Sequence, residues 1–526
     1  MNIRLKLMAV AVAMACSCGA QAASDEREKV EVLHETTLNL IGLLVEQGVI
    51  KQSMADEMLR KAGEKAAKNV ASQRTLEKKT EAETAAKEKN VVRVGYVPEH
   101  VKREMRDQIR QEVIAQARQE RWGDVNAVPE WLDRLKWEGD VRLRYQSDQF
   151  SDRNAPVPFF QVAGQNISNT TDDRKRERLR LRLGLNANVT SGVDVGVRIT
   201  TGTTADPVST NQTLGTTSNK YSLVLDRAFL KLTPVDWFAA SGGRIPNPFF
   251  GTDLVWDEDL NFEGAAATFR PWASEVLALK PFLTVGAFSN QEIEKSASVV
   301  KADNKWMLGA QAGLEWNLDA RTRFKLGISY YDYKNIKGIP NPVLGSTQFN
   351  KTAPDFRQKG NSLFNIDNDG SPTTSLYALA SDFNVANLTL VGDFAQFDPV
   401  HLIGTLDYAR NLGFDRNEIL GRTGQSIEPE VKGYLARLAV GYPKIAERHD
   451  WQAYVAYRYL ERDAVPDAFT DSDFHLGGTN NKGFIIGGMY GLDKNTWLSA
   501  RWMSSDQISG LPLSIDVLQL DLNAKF

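Results

Sequence analysis

The sequence predicts a membrane all-β protein, a transmembrane antiparallel β-barrel of about sixteen strands (eighteen on the alternative count), preceded by an α-helical periplasmic segment. Three observations predict it. From residue 136 onward, apolar and polar residues alternate with a period of two. Aromatic residues recur near the ends of these runs on the apolar face, where an interfacial girdle would place them. The connections between runs alternate between tight turns and long polar stretches, as in barrels with short periplasmic turns and long outer loops.

Taken in chain order, the first element is an address. Arg4 and Lys6 make a positive start, Leu7 to Ala15 a short apolar core, and Ala20-Gln21-Ala22 a small-x-small cleavage site. Residues 1–22 therefore read as a secretory signal peptide cut after Ala22. The 2 cysteines, Cys16 and Cys18, leave with it, so the exported chain folds without a disulfide. Acylation at either cysteine is the rival reading, and Ala13-Met14-Ala15 makes a poor lipobox for it.

Residues 23–130 read as helical and periplasmic. Val30, Leu33, Leu40, Ile41, Leu44 and Val45 fall on one helical face, and Gly48 can end that helix. Ser53 with Asp56 three residues on can cap a second helix carrying Met54, Met58 and Leu59. About two heptads are well formed, which leaves a coiled coil open. Residues 63–90 lose the apolar stripe and read as a solvated arm. A third helix, 99–121, places Val101, Met105, Ile109, Val113 and Ile114 on one face between Pro98 and Gly123.

Residues 131–526 are the barrel. Trp137, Gly139, Val141, Leu143 and Tyr145 alternate with Glu138, Asp140, Arg142, Arg144 and Gln146. Leu179, Leu181, Leu183 and Leu185 alternate with Arg178, Arg180, Arg182 and Gly184. Similar runs begin at Val193, Trp306, Trp451 and Phe484. A half-buried soluble sheet also alternates, but has no reason to put every long connection at one end. Tight turns fall at Thr190–Gly192, Thr233–Asp236 and Asp319–Ala320; long connections fall at 147–174, 203–220, 335–374 and 461–481. About seventeen candidate strands emerge, three of them between 375 and 411, where the alternation of connections allows two. With both ends in the periplasm the number must be even, which favours sixteen and an aqueous lumen. Leu518, Leu520, Leu522, Ala524 and Phe526 close the chain on one face, and a terminal Phe526 reads as a signal for the barrel-assembly machinery.

Bulk properties set the exclusions. The chain has 526 residues, 42% hydrophobic, with mean hydropathy -0.36. Past the signal peptide it has no apolar run of the roughly 18 residues that a spanning helix requires. The net charge of -3, from 63 basic and 66 acidic residues, gives no reason to expect nucleic acid. Five scattered histidines show no metal-ligand spacing, and no G-x-S-x-G, H-E-x-x-H or Walker loop occurs. The chain is therefore read as neither an enzyme nor a metal or cofactor carrier. Asn365, Asp367, Asp369 and Gly370 imitate the start of a calcium loop, but the twelfth position is Leu376, which favours a plain Asn/Asp/Gly turn.

Candidate functional residues follow from strand parity. Arg142, Arg144, Arg178, Arg180, Arg182, Arg198, Arg227, Arg437, Arg458 and Arg501 fall on the lumen face. Arg or Lys facing lipid at mid-bilayer costs roughly 2–4 kcal/mol, so inward placement is required whatever the function. A ladder of arginines would also suit an anion pore. The loop 244–262 carries Asp253, Asp257, Glu258 and Asp259, with Pro246, Pro248 and Gly251 to bend it. Folded inward, its acids would face the arginines at a constriction. Left outside, it is an exposed acidic loop.

The runs VPEHVKREMRDQIRQEVIAQARQERWGD and VPEWLDRLKWEGDVRLRYQ, and the segment GRIPNPFFGTDLVWDEDLNFEGAA (243–266), resemble the putative porin family of Gram-negative outer membranes. The resemblance covers most of the chain after residue 25. It implies a passive outer-membrane channel for ions and small polar solutes, commonly oligomeric, with a trimer expected. Its partners would be outer-membrane lipid, the barrel-assembly machinery and the solutes themselves. The competing function is an anchoring barrel whose helical front binds peptidoglycan or a periplasmic partner.

Overall fold

A computed structural model describes residues 134–526, except 272–277, 297–298 and 372–373. The signal peptide and the helical segment expected over 1–130 lie outside the described residues.

Sixteen strands close on themselves. They are β1 (Leu135–Phe150), β2 (Arg174–Thr190), β3 (Val193–Thr200), β4 (Val224–Val235), β5 (Phe238–Pro246), β6 (Asn261–Phe269), β7 (Leu279–Gln291) and β8 (Lys305–Asn317). The second half comprises β9 (Thr322–Lys334), β10 (Asn384–Phe397), β11 (Val400–Asn411), β12 (Lys432–Gly441), β13 (Trp451–Leu460), β14 (Asn481–Asp493), β15 (Thr496–Gln507) and β16 (Ser514–Lys525). Each pairs antiparallel with its chain neighbours, and β16 returns to β1 from Asp140↔Lys525 to Phe150↔Ile515. Closure removes both sheet edges and satisfies every strand's backbone internally, which hydrocarbon demands. A two-residue piece, Gln212–Thr213, extends the pairing along β2.

The two strands expected between 375 and 411 on parity are β10 and β11. The third candidate there is Tyr377–Leu379, which pairs with Leu363–Asn365 in a small separate sheet. Local alternation cannot distinguish a strand that crosses the bilayer from one that folds back inside a loop.

The seven longest connections, and the short L8, follow odd-numbered strands. L1 spans 151–173, L2 201–223, L3 247–260, L4 292–304, L5 335–383, L6 412–431, L7 461–480 and L8 508–513. Most of the opposite connections are tight, with two residues at 191–192, 236–237, 398–399 and 494–495. The loop expected over 244–262 is shorter, because residues 244–246 belong to β5 and 261–262 to β6.

The faces sort by strand parity. Trp306, Leu308, Trp316, Tyr434, Leu438, Trp451, Val455 and Leu520 are exposed on the outer wall, where lipid covers them. Their neighbours Met307, Gln311, Leu435 and Gln519 are buried on the inner wall. The largest hydrophobic cluster lies inside the barrel. It joins Phe249, Leu254, Val255 and Trp256 of L3 to Phe262, Phe288, Met307 and Tyr331 of the wall, and to Leu379 of L5 and Val465 of L7. The loop-end half of the lumen is therefore packed with folded loops. At the seam, Phe526 exchanges backbone hydrogen bonds of 3.0 and 2.9 Å with Gly139, and a Cβ at Gly139 would lie 2.5 Å from its ring. Glycine is needed there for close approach.

Candidate pore constriction

L3 lies inside the barrel because the inner wall holds it there. Gln311 on β8, fully buried, donates to the Phe250 carbonyl at 2.6 Å and accepts from the Phe250 N–H at 2.8 Å. The wall is cut back to receive the flanking ring: a Cβ at Gly309 would meet Phe249 at 2.4 Å. Phe249 and Trp256 then pack edge-on against Tyr331, with ring centroids 5.1 and 5.0 Å away. Across the lumen, Thr252 donates its hydroxyl to Asp407 of β11 at 2.6 Å.

This anchoring sets the direction of the four acids. Asp259 is buried, 3.2 Å from Arg182 and 3.8 Å from Arg180, and accepts from the Thr210 hydroxyl at 2.9 Å. Burial pushes its carboxyl up, but the guanidiniums of Arg180, Arg182 and Arg142 outweigh that and hold it below the ordinary range. Glu258 is the exposed tip, with its side chain 77% accessible, 3.5 Å from Arg180 and 4.0 Å from Arg142. Asp257 turns away from the arginines and accepts from the backbone N–H groups of Asp259 (2.8 Å) and Ser472 (2.9 Å). Asp253 makes no ion pair within 4.0 Å among the described residues. Two of the four acids thus meet the ladder.

All ten arginines lie on the inner face, and seven are ion-paired. Arg180 and Arg182 share Asp140. Arg144 sits between Asp521 (2.7 Å) and Asp473 (3.0 Å), and Arg501 reaches the same Asp473 at 2.5 Å. Arg198 pairs with Asp226, and Arg458 lies 3.5 Å from Asp471. Arg142 has Glu258 and the Asn211 amide oxygen, the latter at 2.6 Å. Three have no carboxylate within 4.0 Å among the described residues. Arg178 donates to Gln146 and Ser209, Arg227 to Asn261 at 2.6 Å, and Arg437 stacks 3.9 Å above the ring of Tyr454.

Sequence reasoning missed the partners. Asp473 and Asp471 sit in L7, over 300 residues from Arg144, and no spacing rule links them. L7 is itself locked from within. Half-buried Lys359 of L5 donates to the carbonyls of His475, Leu476 and Gly477 at 2.6, 2.9 and 2.8 Å. Buried Asp463 accepts from the Ser362 hydroxyl at 2.6 Å.

This lock is a pH-dependent element. Burial pushes the carboxyls of Asp463 and Asp471 up to about 6 and that of Asp467 up to about 7, and raises Asp257 strongly. A raised carboxyl contributes stability that is complete below its unfolded value of 3.8 and is lost as pH rises through the folded value. Burial also lowers Lys359 to about 7 and His475 well below 6.5, and these two act in the opposite sense. The opposing effect of Lys359 falls above about pH 7, so the raised acids govern the range below it. L7 is therefore expected to loosen as pH rises from about 4 to about 7. Hydrogen exchange over 461–480, corrected for intrinsic rates, should show less protection at the higher pH; greater protection there would contradict this balance.

A serine–histidine contact also appears that the sequence did not suggest. His475 Nδ1 lies 2.9 Å from the Ser505 hydroxyl. The serine donates its proton to the Ile515 carbonyl at 2.8 Å, and both residues are buried inside the lumen. That hydroxyl is committed to the wall and does not face a substrate. Asn365, Asp367 and Asp369 form successive side-chain-to-backbone turns at 3.0, 3.1 and 2.7 Å.

The family described as Putative porin matches residues 34–526. No curated protein sequence matches. Among solved structures, the chain is similar to the outer-membrane channel DcaP of Acinetobacter baumannii, at 12% identity over 74% of this chain and 97% of that one, with a TM-score of 0.39. It is similar to Pseudomonas putida OprB at high pH, at 12% identity over 77% and 97%, with a TM-score of 0.45. It is also similar to the anion-selective porin from Comamonas acidovorans, at 11% identity over 74% and 99%, with a TM-score of 0.38.

Proposed function

Because this chain belongs to the Putative porin family, and so is an outer-membrane β-barrel channel of porin type, we propose that it is a passive diffusion pore for ions and small polar solutes with a mild anion bias. The observation that carries the proposal is the inward L3. It is clamped by Gln311, and its Glu258 tip pairs with Arg180 of the wall at 3.5 Å. Opposed charges at a narrowing align a dipolar solute and pass it without any covalent step. The bias is mild because ion pairs offset most of the ladder. It rests on Arg178, Arg227 and Arg437, the three of the ten that lack a carboxylate neighbour.

The same proposal includes two further roles. Phe526 is the residue read by the barrel-assembly machinery. The barrel assembles as a homo-oligomer, a trimer on the strength of the family alone.

Planar-bilayer recording tests the pore. Stable open steps are expected, with a reversal potential on the anion side across a salt gradient. That potential should move toward zero when Arg178, Arg227 and Arg437 all become Gln. A folded barrel without open steps would overturn the pore, whereas steps without charge preference would overturn only the bias.

A further inference from the structure

A cavity of about 790 Å³ lies at the loop end, against L3. Its floor and walls come from the loop ends of β3 to β9 together with L2, L3, L5 and L7. A cavity of this size falls in the range of small-molecule sites. It shares Trp256 and Asp259 with the constriction and adds side chains of L2, L5 and L7.

Its two sides differ. One is aromatic: Tyr333 and Phe469 stack with centroids 6.1 Å apart at 12°, and Trp256 lies 6.1 Å from Phe469. Phe469 is only half-buried. The other side carries hydroxyl and amide groups, among them exposed Thr203 and Asn290 and half-buried Gln291. Several charges on that side are already paired, Arg244 with Glu263 at 2.5 Å and Asp226 with Arg198, while Gln291 donates to Asp355 at 2.7 Å.

These features exclude ligand classes in turn. An inorganic anion meets a surplus of acids, because Asp206, Asp226, Asp259, Glu263, Asp355 and Asp467 line the cavity against the two cations Arg244 and Lys305. A hydrocarbon would cover the polar side and leave its donors and acceptors without partners, which costs free energy. A neutral polyhydroxylated ring suits both sides. Its C–H face lies on an aromatic ring, and its hydroxyls both donate and accept along the opposite edge.

We propose that this loop-end cavity is a binding site for a neutral sugar of mono- or disaccharide size, which loads the solute above the constriction. The proposal rests on the pore reading and names a solute class for it.

The test is ion-current recording with sucrose added on the loop side, and with gluconate as the anionic control. Saturable current reduction by sucrose is expected. Its half-saturating concentration should rise about tenfold in Phe469→Leu, which keeps apolar volume and removes the ring. Gln291→Ala, at a more exposed position, should weaken block without touching the cluster. Open channels that sucrose does not block, or block unchanged in both variants, would overturn the sugar site while leaving the pore standing. Block by gluconate alone would assign solute binding to the arginines instead. Absence of any conductance would fall on the pore reading, and direct sucrose binding to the folded barrel by calorimetry then decides the site.

Discussion

Replacing Gln311 with Ala is expected to raise single-channel conductance sharply. Gln311 is the only side chain that hydrogen-bonds both backbone groups of Phe250, at 2.6 and 2.8 Å among the described residues. Both backbone groups would then lose their partner on a wall that also carries Ser329, Thr284 and Lys325, at a net cost of roughly 0.5–1.5 kcal/mol for each hydrogen bond lost. That loss leaves L3 on its remaining anchors, Thr252 on Asp407 and the rings of Phe249 and Trp256 on Tyr331. Once it lifts, Glu258 and Asp259 move away from Arg180 and Arg182, so the opening widens and its transverse field weakens together. Gly309→Phe should act through the same loop by a different route, because a side chain there would collide with Phe249. Both variants retain the outer wall and should insert normally. If both conduct as the native channel does, L3 does not set the aperture.

The second large effect concerns stability. Arg458 is fully buried, and its guanidinium nitrogens have no hydrogen-bond partner among the described residues. Its compensation is the carboxylate of Asp471 at 3.5 Å and the face of Phe474 at 5.3 Å. Breaking a buried pair from one side typically costs about 3–5 kcal/mol, because one charge stays behind. Replacing both partners with neutral groups of similar volume is often neutral or stabilising by about 1–4 kcal/mol. Arg458→Ala should therefore lower resistance to heat and urea markedly. Arg458→Met combined with Asp471→Asn should recover or exceed the native value. The asparagine retains one oxygen for the Phe474 N–H, which donates to Oδ2 at 2.9 Å, and gives up the longer bond of 3.2 Å from the Asp473 N–H to Oδ1. A double variant as weak as Arg458→Ala would show that packing, not charge, governs the site.

Strand number and face were legible in the sequence because a barrel wall has two solvents. Lipid on one side and the lumen on the other sort every second residue, so Trp306 and Met307 carry opposite environments. The alternation of connections resolved the miscounted strand at 377–379, since parity is a global constraint. The inward bend of L3 had a local cue in Pro246, Pro248 and Gly251. Its cause had none: Gln311 and Gly309 look like ordinary lumen residues until Phe250 arrives from about sixty positions earlier. The arginine ladder was read with only the acids of the loop 244–262 as facing partners, because its parity is local and most of its neutralisation is not. Asp140 was visible on β1 as a lumen acid, but Asp473, Asp471 and Asp226 become partners only when L7 enters the barrel and β4 closes beside β3.

The seam between β1 and β16 has a consequence for timing. Asp140 finds its partner at Lys525, so the first strand waits for the last. Fifteen of the sixteen strand pairings join strands adjacent in the chain, and these can zip progressively. The remaining one closes a loop spanning almost the whole barrel, the slowest kind of contact to form. Until then both terminal strands present open edges that invite pairing with other chains. The interval between zipping and closure is when the nascent barrel is most exposed to aggregation, and its length is set by how quickly Phe526 reaches Gly139.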